Sequence, residues 1–187
     1  MTEFAFVFSL YSLLLSFSLV ALLSGLGKAL DAALRRDGPR VGWLVPLLGL
    51  FVLLDLLSFW AAAWTVRDLI TINGPTLTGV LLFASGYYLA AHLVFPDDPS
   101  KESDLADHFY RVRKTVLGIL VVLLFVQWGY YLSVPAIREA LLTPVAYGQT
   151  LVLVALMLAA MWVKKPRWVT LILAALCLRY LVVYLFL

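Results

Sequence analysis

The chain has 187 residues, of which 64% are hydrophobic and 13% are charged, and its formal net charge is +3. Soluble domains contain about 45–50% apolar and about 25% charged residues, so this balance excludes a water-soluble globular domain. The single cysteine, Cys177, excludes an internal disulfide bond, and the basic residues lie in short loops, so the positive charge does not indicate a nucleic-acid partner.

Six apolar runs are each long enough to cross a bilayer, which takes about 20 helical residues. They cover approximately residues 4–24, 42–66, 76–95, 115–134, 144–163 and 168–187. We therefore predict an all-α integral membrane protein, a bundle of six transmembrane helices that forms a single domain. The first run has no basic segment before it and no convincing cleavage site after it, so we expect a retained span rather than a signal peptide.

The turns between the spans have characteristic sequences. We expect the Asp-Gly-Pro turn at residues 37–39 to end a helical extension of the first span. The Asn-Gly-Pro turn at residues 73–75 and the Thr-Pro pair at residues 143–144 should begin the third and fifth spans. The one sizeable polar stretch, residues 96–114, is expected to be a loop with a short surface helix capped by Ser103.

The basic residues are distributed unevenly among the loops. The loops after the first, third and fifth spans contain 11 of the 14 Lys and Arg residues, and the two alternate loops contain one each, Arg67 and Arg138. Cytoplasmic loops of membrane proteins are enriched in Lys and Arg, so we expect both termini on the non-cytoplasmic side. Residues 96–114 are then cytoplasmic, and the expected location is the inner membrane of a bacterium.

Three helical hairpins of the chain resemble one another. They cover approximately residues 4–66, 76–134 and 145–187. In the first two, a polar residue in the second helix is followed by an arginine–acid pair, Arg67-Asp68 or Arg138-Glu139. We therefore predict an approximate internal repeat with a pseudo-symmetry axis along the membrane normal.

Three spans each contain one strongly polar residue near the middle: Asp55, Gln127 and Arg179. All three lie about 12–13 residues from the basic end of their span, or about 18–20 Å at 1.5 Å per residue. A charge at this depth costs on the order of 2.5–3.5 kcal/mol, so these residues should face protein or a water-filled cavity. If the repeat brings the three helices together, an Asp55–Arg179 ion pair with Gln127 beside it would satisfy the charges.

Two functions are compatible with such a centre. The first is a channel or secondary transporter for an ion or small polar solute, in which Arg179 holds an anion and Asp55 takes up a proton or cation. The alternative is a non-catalytic scaffold or assembly subunit, in which the three residues form a structural clamp. A membrane enzyme that acts on lipid, with His92 and the cytoplasmic loops as its site, is a third option supported only by proximity.

The other candidate residues lie nearer the ends of the spans. His92 is a candidate proton relay or else a hydrogen-bonded structural residue. Arg67 and Arg138 are candidates for an outer gate or else interfacial anchors. The sequence contains no hydrolase, phosphate-binding or haem-ligating motif, so we predict no catalytic residue, no cofactor and no metal site. The expected partners are membrane lipids, with further copies of the chain or other membrane subunits as options.

Overall fold

A computed structural model describes residues 2–35 and 38–186, without the side chains of Ala136, Ala140, Leu141 and residues 184–186. Seven α-helices form within this part of the chain. They are α1 (Glu3–Ala33), α2 (Leu44–Thr65), α3 (Gly74–Val94), α4 (Leu105–Ser133), α5 (Pro135–Leu141), α6 (Pro144–Trp162) and α7 (Pro166–Phe186). All but the short α5 are long and apolar enough to cross a membrane, so the predicted all-α class with six helices of membrane-spanning length is confirmed.

Two of the predicted helix starts are confirmed by their caps. The Asn73 side chain accepts a hydrogen bond from the Thr76 amide at 2.8 Å and begins α3. The Thr143 hydroxyl accepts one from the Ala146 amide at 3.4 Å and begins α6. A proline follows each cap in the first turn, where its missing amide hydrogen costs no helical bond. Three residues of the predicted turns and hairpins, Arg36, Asp37 and Leu187, lie outside the described residues.

The polar stretch at residues 96–114 differs from the prediction. Asp104 caps its helix in place of Ser103, because the Asp104 side chain accepts a hydrogen bond from the Ala106 amide at 2.7 Å. The helix also does not stop at the membrane surface, since α4 runs unbroken through the basic residues into the fourth span. No Gly or Pro interrupts residues 104–117, so nothing in the local sequence ends the helix there. The sequence pattern also gave no indication of α5.

The two ends of the bundle differ in charge. The loops before α2 and before α4 meet at one end, where the Arg40 amide donates to the Ser103 carbonyl at 3.1 Å and the Leu105 amide donates to the Arg40 carbonyl at 3.0 Å. This is the basic end, at which α1, α3 and α6 finish. The starts of α1 and α3 meet at the opposite end, where the Glu3 carboxylate accepts a hydrogen bond from the Ile72 amide at 2.9 Å.

Helix α2 is the centre of the bundle, in contact with α1, α3, α4 and α7. Half of its most apolar stretch is buried, against 17–33% for the other five long helices. Val45, Leu48, Phe51 and Val52 have no exposed surface at all. The middle of α2, including Asp55, therefore faces protein rather than lipid.

Arg113 connects α4 to the end of α6 at the basic end of the bundle. Its guanidinium donates hydrogen bonds to the carbonyls of Ala160 at 3.0 Å and Val163 at 2.5 Å, at the end of α6. The last carbonyls of a helix have no partner within it and form the negative end of its dipole, so a cation is well placed there. The guanidinium also lies over the ring of Tyr110, whose hydroxyl donates to the Lys164 carbonyl at 3.0 Å.

A close approach between α1 and the residue after α3 gives a test of this packing. A Cβ atom at Gly25 would lie 2.6 and 2.8 Å from atoms of the Phe95 side chain, whereas at Gly27 it would meet nothing within 4 Å. Gly25→Ala should therefore lower the stability by about 1–3 kcal/mol through overpacking. Gly27→Ala should be neutral or stabilise by up to about 1 kcal/mol through helix propensity. Equal thermal unfolding of both variants in detergent would contradict the close approach.

Candidate functional site

Asp55 lies near the middle of α2 and is held by two tyrosines from other helices. Its Oδ2 accepts a hydrogen bond from the Tyr87 hydroxyl of α3 at 2.8 Å, and its Oδ1 accepts one from the Tyr180 hydroxyl of α7 at 2.5 Å. Asp55, Tyr87 and Tyr180 are all buried, with 9%, 3% and 5% of their surfaces exposed. Each carboxylate oxygen thus has a donor, which satisfies the hydrogen bonding that a buried carboxylate requires.

The predicted ion pair between Asp55 and Arg179 is not formed. Among the described residues, Arg179 makes no ion pair, and its guanidinium carbon lies 5.2 Å from the centroid of the Tyr180 ring. Tyr180 and Arg179 are adjacent on α7, so their side chains leave the helix about 100° apart. Tyr180 takes the contact, and the charge of Arg179 acts on Asp55 only at longer range.

Gln127 also differs from its predicted role as a neighbour of both charges. Its amide nitrogen donates a hydrogen bond to the Tyr131 hydroxyl one turn later on α4, at 3.1 Å. The three polar residues therefore do not meet in one contact.

Asp55, Gln127 and Arg179 nevertheless line one cleft of about 600 Å³. Its lining comes from five helices, and besides Tyr87 and Tyr180 its polar residues are Asp55, Ser58, Thr65, Gln127, Gln149, Thr150 and Arg179. The hydroxyls of Ser58, Thr65 and Thr150 donate to carbonyls of their own helices, so their oxygens remain as acceptors for water or a solute. The cleft thus offers a cation, amide groups and hydroxyl oxygens beside the buried carboxylate.

The cleft extends from Asp55 toward one end of the bundle only. On α2 every lining residue is Asp55 or follows it in the chain, so the cleft extends toward the end opposite the basic loops. On the basic side of Asp55 the bundle is filled by apolar side chains that are fully buried. They include Leu48, Phe51, Leu117, Leu173 and Leu176. The polar cleft therefore has a closed apolar floor.

His92 lies outside the cleft, near the basic end of α3. Its Nε2 is 3.8 Å from the Asp97 carboxylate, its ring stacks on Tyr88, and about half of its side chain is exposed (51%). The position and contacts of His92 are therefore those of a partly exposed residue with local partners.

Arg67 and Arg138 also lie outside the cleft, at the opposite end of the bundle. Arg67 is 3.6 Å from the Asp68 carboxylate, so the two side chains of this sequence pair are in contact. Arg138 instead donates a hydrogen bond to the Leu132 carbonyl, at 2.9 Å, and so satisfies a carbonyl at the end of α4.

Tyr87 and Tyr180 are the site residues that the sequence did not reveal. Tyrosine is common both in apolar cores and at membrane interfaces, so its presence in a span does not single it out. The sequence did contain one signal of the cleft itself. Positions 55, 58, 62 and 65 of α2 are polar or small and follow helical spacing, so they share one face of the helix.

The fold and the site together define a class: a multi-pass α-helical membrane protein with a buried carboxylate at the inner end of a polar cleft. Comparisons with models of known protein families, with curated proteins and with solved structures gave no match. Within the described part of the chain, no three His, Cys, Asp or Glu residues are grouped to hold a metal ion. Any functional argument therefore depends on the cleft itself.

The hydrogen bonds to Asp55 predict a measurable contribution to stability. Tyr87→Phe removes the donor to Oδ2 and should lower the free energy of unfolding by about 1.5–3 kcal/mol, the usual range for a hydrogen bond to a charged group. Tyr88 is a matched control because it is adjacent and 41% exposed. Tyr88→Phe should change the stability by less than about 0.5 kcal/mol. The same unfolding temperature for both variants in detergent would rule out a stabilising role for the Tyr87 hydroxyl.

Proposed function

We propose that the protein is a small secondary transporter for an ion or small polar solute, with the cleft as the solute site. One observation supports this most: Asp55 and Arg179 share a one-sided polar cleft without pairing with each other. A charge within a membrane span is costly and usually has a partner. Among the described residues Arg179 has no ion-pair partner, so its position beside the cleft favours a ligand that supplies a negative charge.

Arg179 is the proposed solute-binding residue. Its guanidinium has fixed donors that match a carboxylate or phosphate group, so the favoured solute has an anionic group. The side chains of Gln149 and Gln127 border the same cleft and offer donors and acceptors to the uncharged part of a solute.

Asp55 is the proposed coupling residue. A proton or cation that binds its carboxylate competes with the hydroxyl donors of Tyr87 and Tyr180. Those two hydrogen bonds connect α2 to α3 and α7, so neutralising Asp55 would loosen three helices of the bundle. A ligand shifts a conformational equilibrium only through such a difference in binding energy between states.

The closed apolar floor favours a transporter over an open channel. A channel needs one continuous path, whereas a transporter opens its central site to one side at a time. Under this proposal the cleft opens to the non-cytoplasmic side of a bacterial inner membrane, since the basic loops lie at the other end. The three-hairpin repeat, the absence of catalysis and the lipid or subunit partners remain predictions.

The alternative is a scaffold in which Asp55 is a structural clamp. The observation in its favour is that two tyrosine hydroxyls already satisfy the carboxylate and join three helices. A clamp requires no water in the cleft, whereas a solute site does.

Water access separates the two functions. In a Cys177→Ala background, Ala62→Cys places a thiol on the cleft wall, and Ala90→Cys places one at a fully buried position of α3. A membrane-impermeant maleimide should label the first variant from one side of oriented vesicles and leave the second unlabelled. If neither variant is labelled from either side, the cleft is dry and the scaffold is favoured.

Solute flux tests the roles of the two charges. Proteoliposomes are exposed to acetate, phosphate, glycine and urea, and volume changes are followed by light scattering. We expect flux of at least one anionic or zwitterionic solute, reduced about tenfold or more by Asp55→Asn and by Arg179→Gln, since each removes a charge-assisted contact. Arg167→Gln, an exposed position at the start of the same helix, is the control and should transport normally. Normal flux in both cleft variants would contradict the proposal.

A further inference from the structure

A second cavity, of about 360 Å³, lies between the starts of α1 and α3 and the ends of α2 and α4. Its lining includes seven aromatic side chains: Phe4, Phe8, Tyr11, Phe59, Phe83, Tyr130 and Tyr131. None of the residues that line it is charged. Phe59 and Gln127 border both this cavity and the polar cleft, so one layer of side chains separates the two.

This aromatic cavity is reached from the lipid-facing surface of the bundle. Val126 and Tyr130 of α4 form part of its rim, and 55% and 45% of their surfaces are exposed. Both lie in the last third of a helix that is long and apolar enough to cross the membrane, so we expect this side of the rim to face the bilayer. A molecule that enters past these two side chains would come from the bilayer.

Tyr11 gives this cavity an unsatisfied polar group. The residue is 4% exposed, and its hydroxyl oxygen, which has almost no accessible surface, has no hydrogen-bond partner among the described residues. Its ring contacts those of Phe8 and Phe59, which line the same cavity. Native proteins leave few buried hydroxyls unpaired, so a small shift of the Tyr11 side chain toward the cavity would let a ligand acceptor pair with this hydroxyl.

We propose that the aromatic cavity binds the flat, carbonyl-bearing ring of a membrane-soluble molecule, of the quinone class, with the Tyr11 hydroxyl as donor to a ring carbonyl. The seven aromatic side chains of the lining suit a flat ring, because aromatic rings stack on one another. Phe59 and Phe83 already do so, with ring centroids 4.0 Å apart. The absence of charge in the lining disfavours an ionic ligand. A plain acyl chain would fill the apolar space but leave the Tyr11 hydroxyl unpaired. The proposal does not depend on transport through the cleft.

Photolabelling tests the location and the class of the ligand. The probe is a decylbenzoquinone with an azido group on the ring, added to the full-length protein in lipid nanodiscs. We expect saturable crosslinks within residues 4–11 or 75–83, which excess unlabelled decylbenzoquinone removes and decanol does not. Crosslinks found only elsewhere, or equal competition by decanol, would overturn the proposal.

Three variants test the geometry. Tyr11→Phe removes only the donor and should weaken probe binding about 2–10-fold, the effect of one neutral hydrogen bond. Gly79→Leu should abolish binding, because a Cβ at this lining position meets nothing within 4 Å and a larger side chain can occupy the cavity. Gly129→Leu is the control, since it has the same open space but does not line the cavity.

The outcomes of these variants are distinct. Loss of binding in Gly79→Leu with normal binding in Gly129→Leu, both with wild-type unfolding temperatures, supports the assigned site. Unchanged affinity in Tyr11→Phe shows that the hydroxyl is not the donor and overturns the proposed recognition. Because Tyr11→Phe removes an unpaired hydroxyl, we expect it to fold at least as well as the wild type.

Discussion

The carboxylate of Asp55 in the central helix is the constraint on which the rest of the structure depends. A buried charge needs a donor for each oxygen, and helix α2 cannot supply them because its own amides are used in helical bonds. Tyr87 and Tyr180 supply them from two other helices. The rotation of α3 and α7 about their axes is therefore fixed by where these two hydroxyls must lie.

The position of Arg179 follows from that of Tyr180. Tyr180 reaches the carboxylate, and Arg179, which leaves α7 about 100° away, lines the same cleft with its guanidinium over the Tyr180 ring. The two opposite charges therefore border one cleft without forming an ion pair. This separation leaves both available to a third group, which is the basis for favouring a solute site over a clamp.

Hydropathy, loop composition and capping residues were sufficient to predict the class and most helix boundaries, because these depend on local sequence. The equal depth of Asp55, Gln127 and Arg179 was also enough to predict that they lie in one region of the bundle. Their hydrogen-bond and ion-pair partners could not be predicted, because these depend on helix rotation, which is set by contacts between distant residues. For the same reason nothing local distinguished Tyr87 from the neighbouring Tyr88, although only Tyr87 binds the carboxylate.

The single layer formed by Phe59 and Gln127 has a consequence for how space is divided within the bundle. Protein interiors are close-packed, so a side chain between the aromatic cavity and the cleft can move to enlarge one of them only by narrowing the other. Phe59 lies one helical turn from Asp55, and its ring also contacts that of Tyr87. An occupant on the lipid-facing side would therefore hold this ring toward the carboxylate. Coupling between two sites is reciprocal, so a ligand in the aromatic cavity would change the affinity of the cleft for its solute, and a solute in the cleft would change the affinity of the cavity by the same factor.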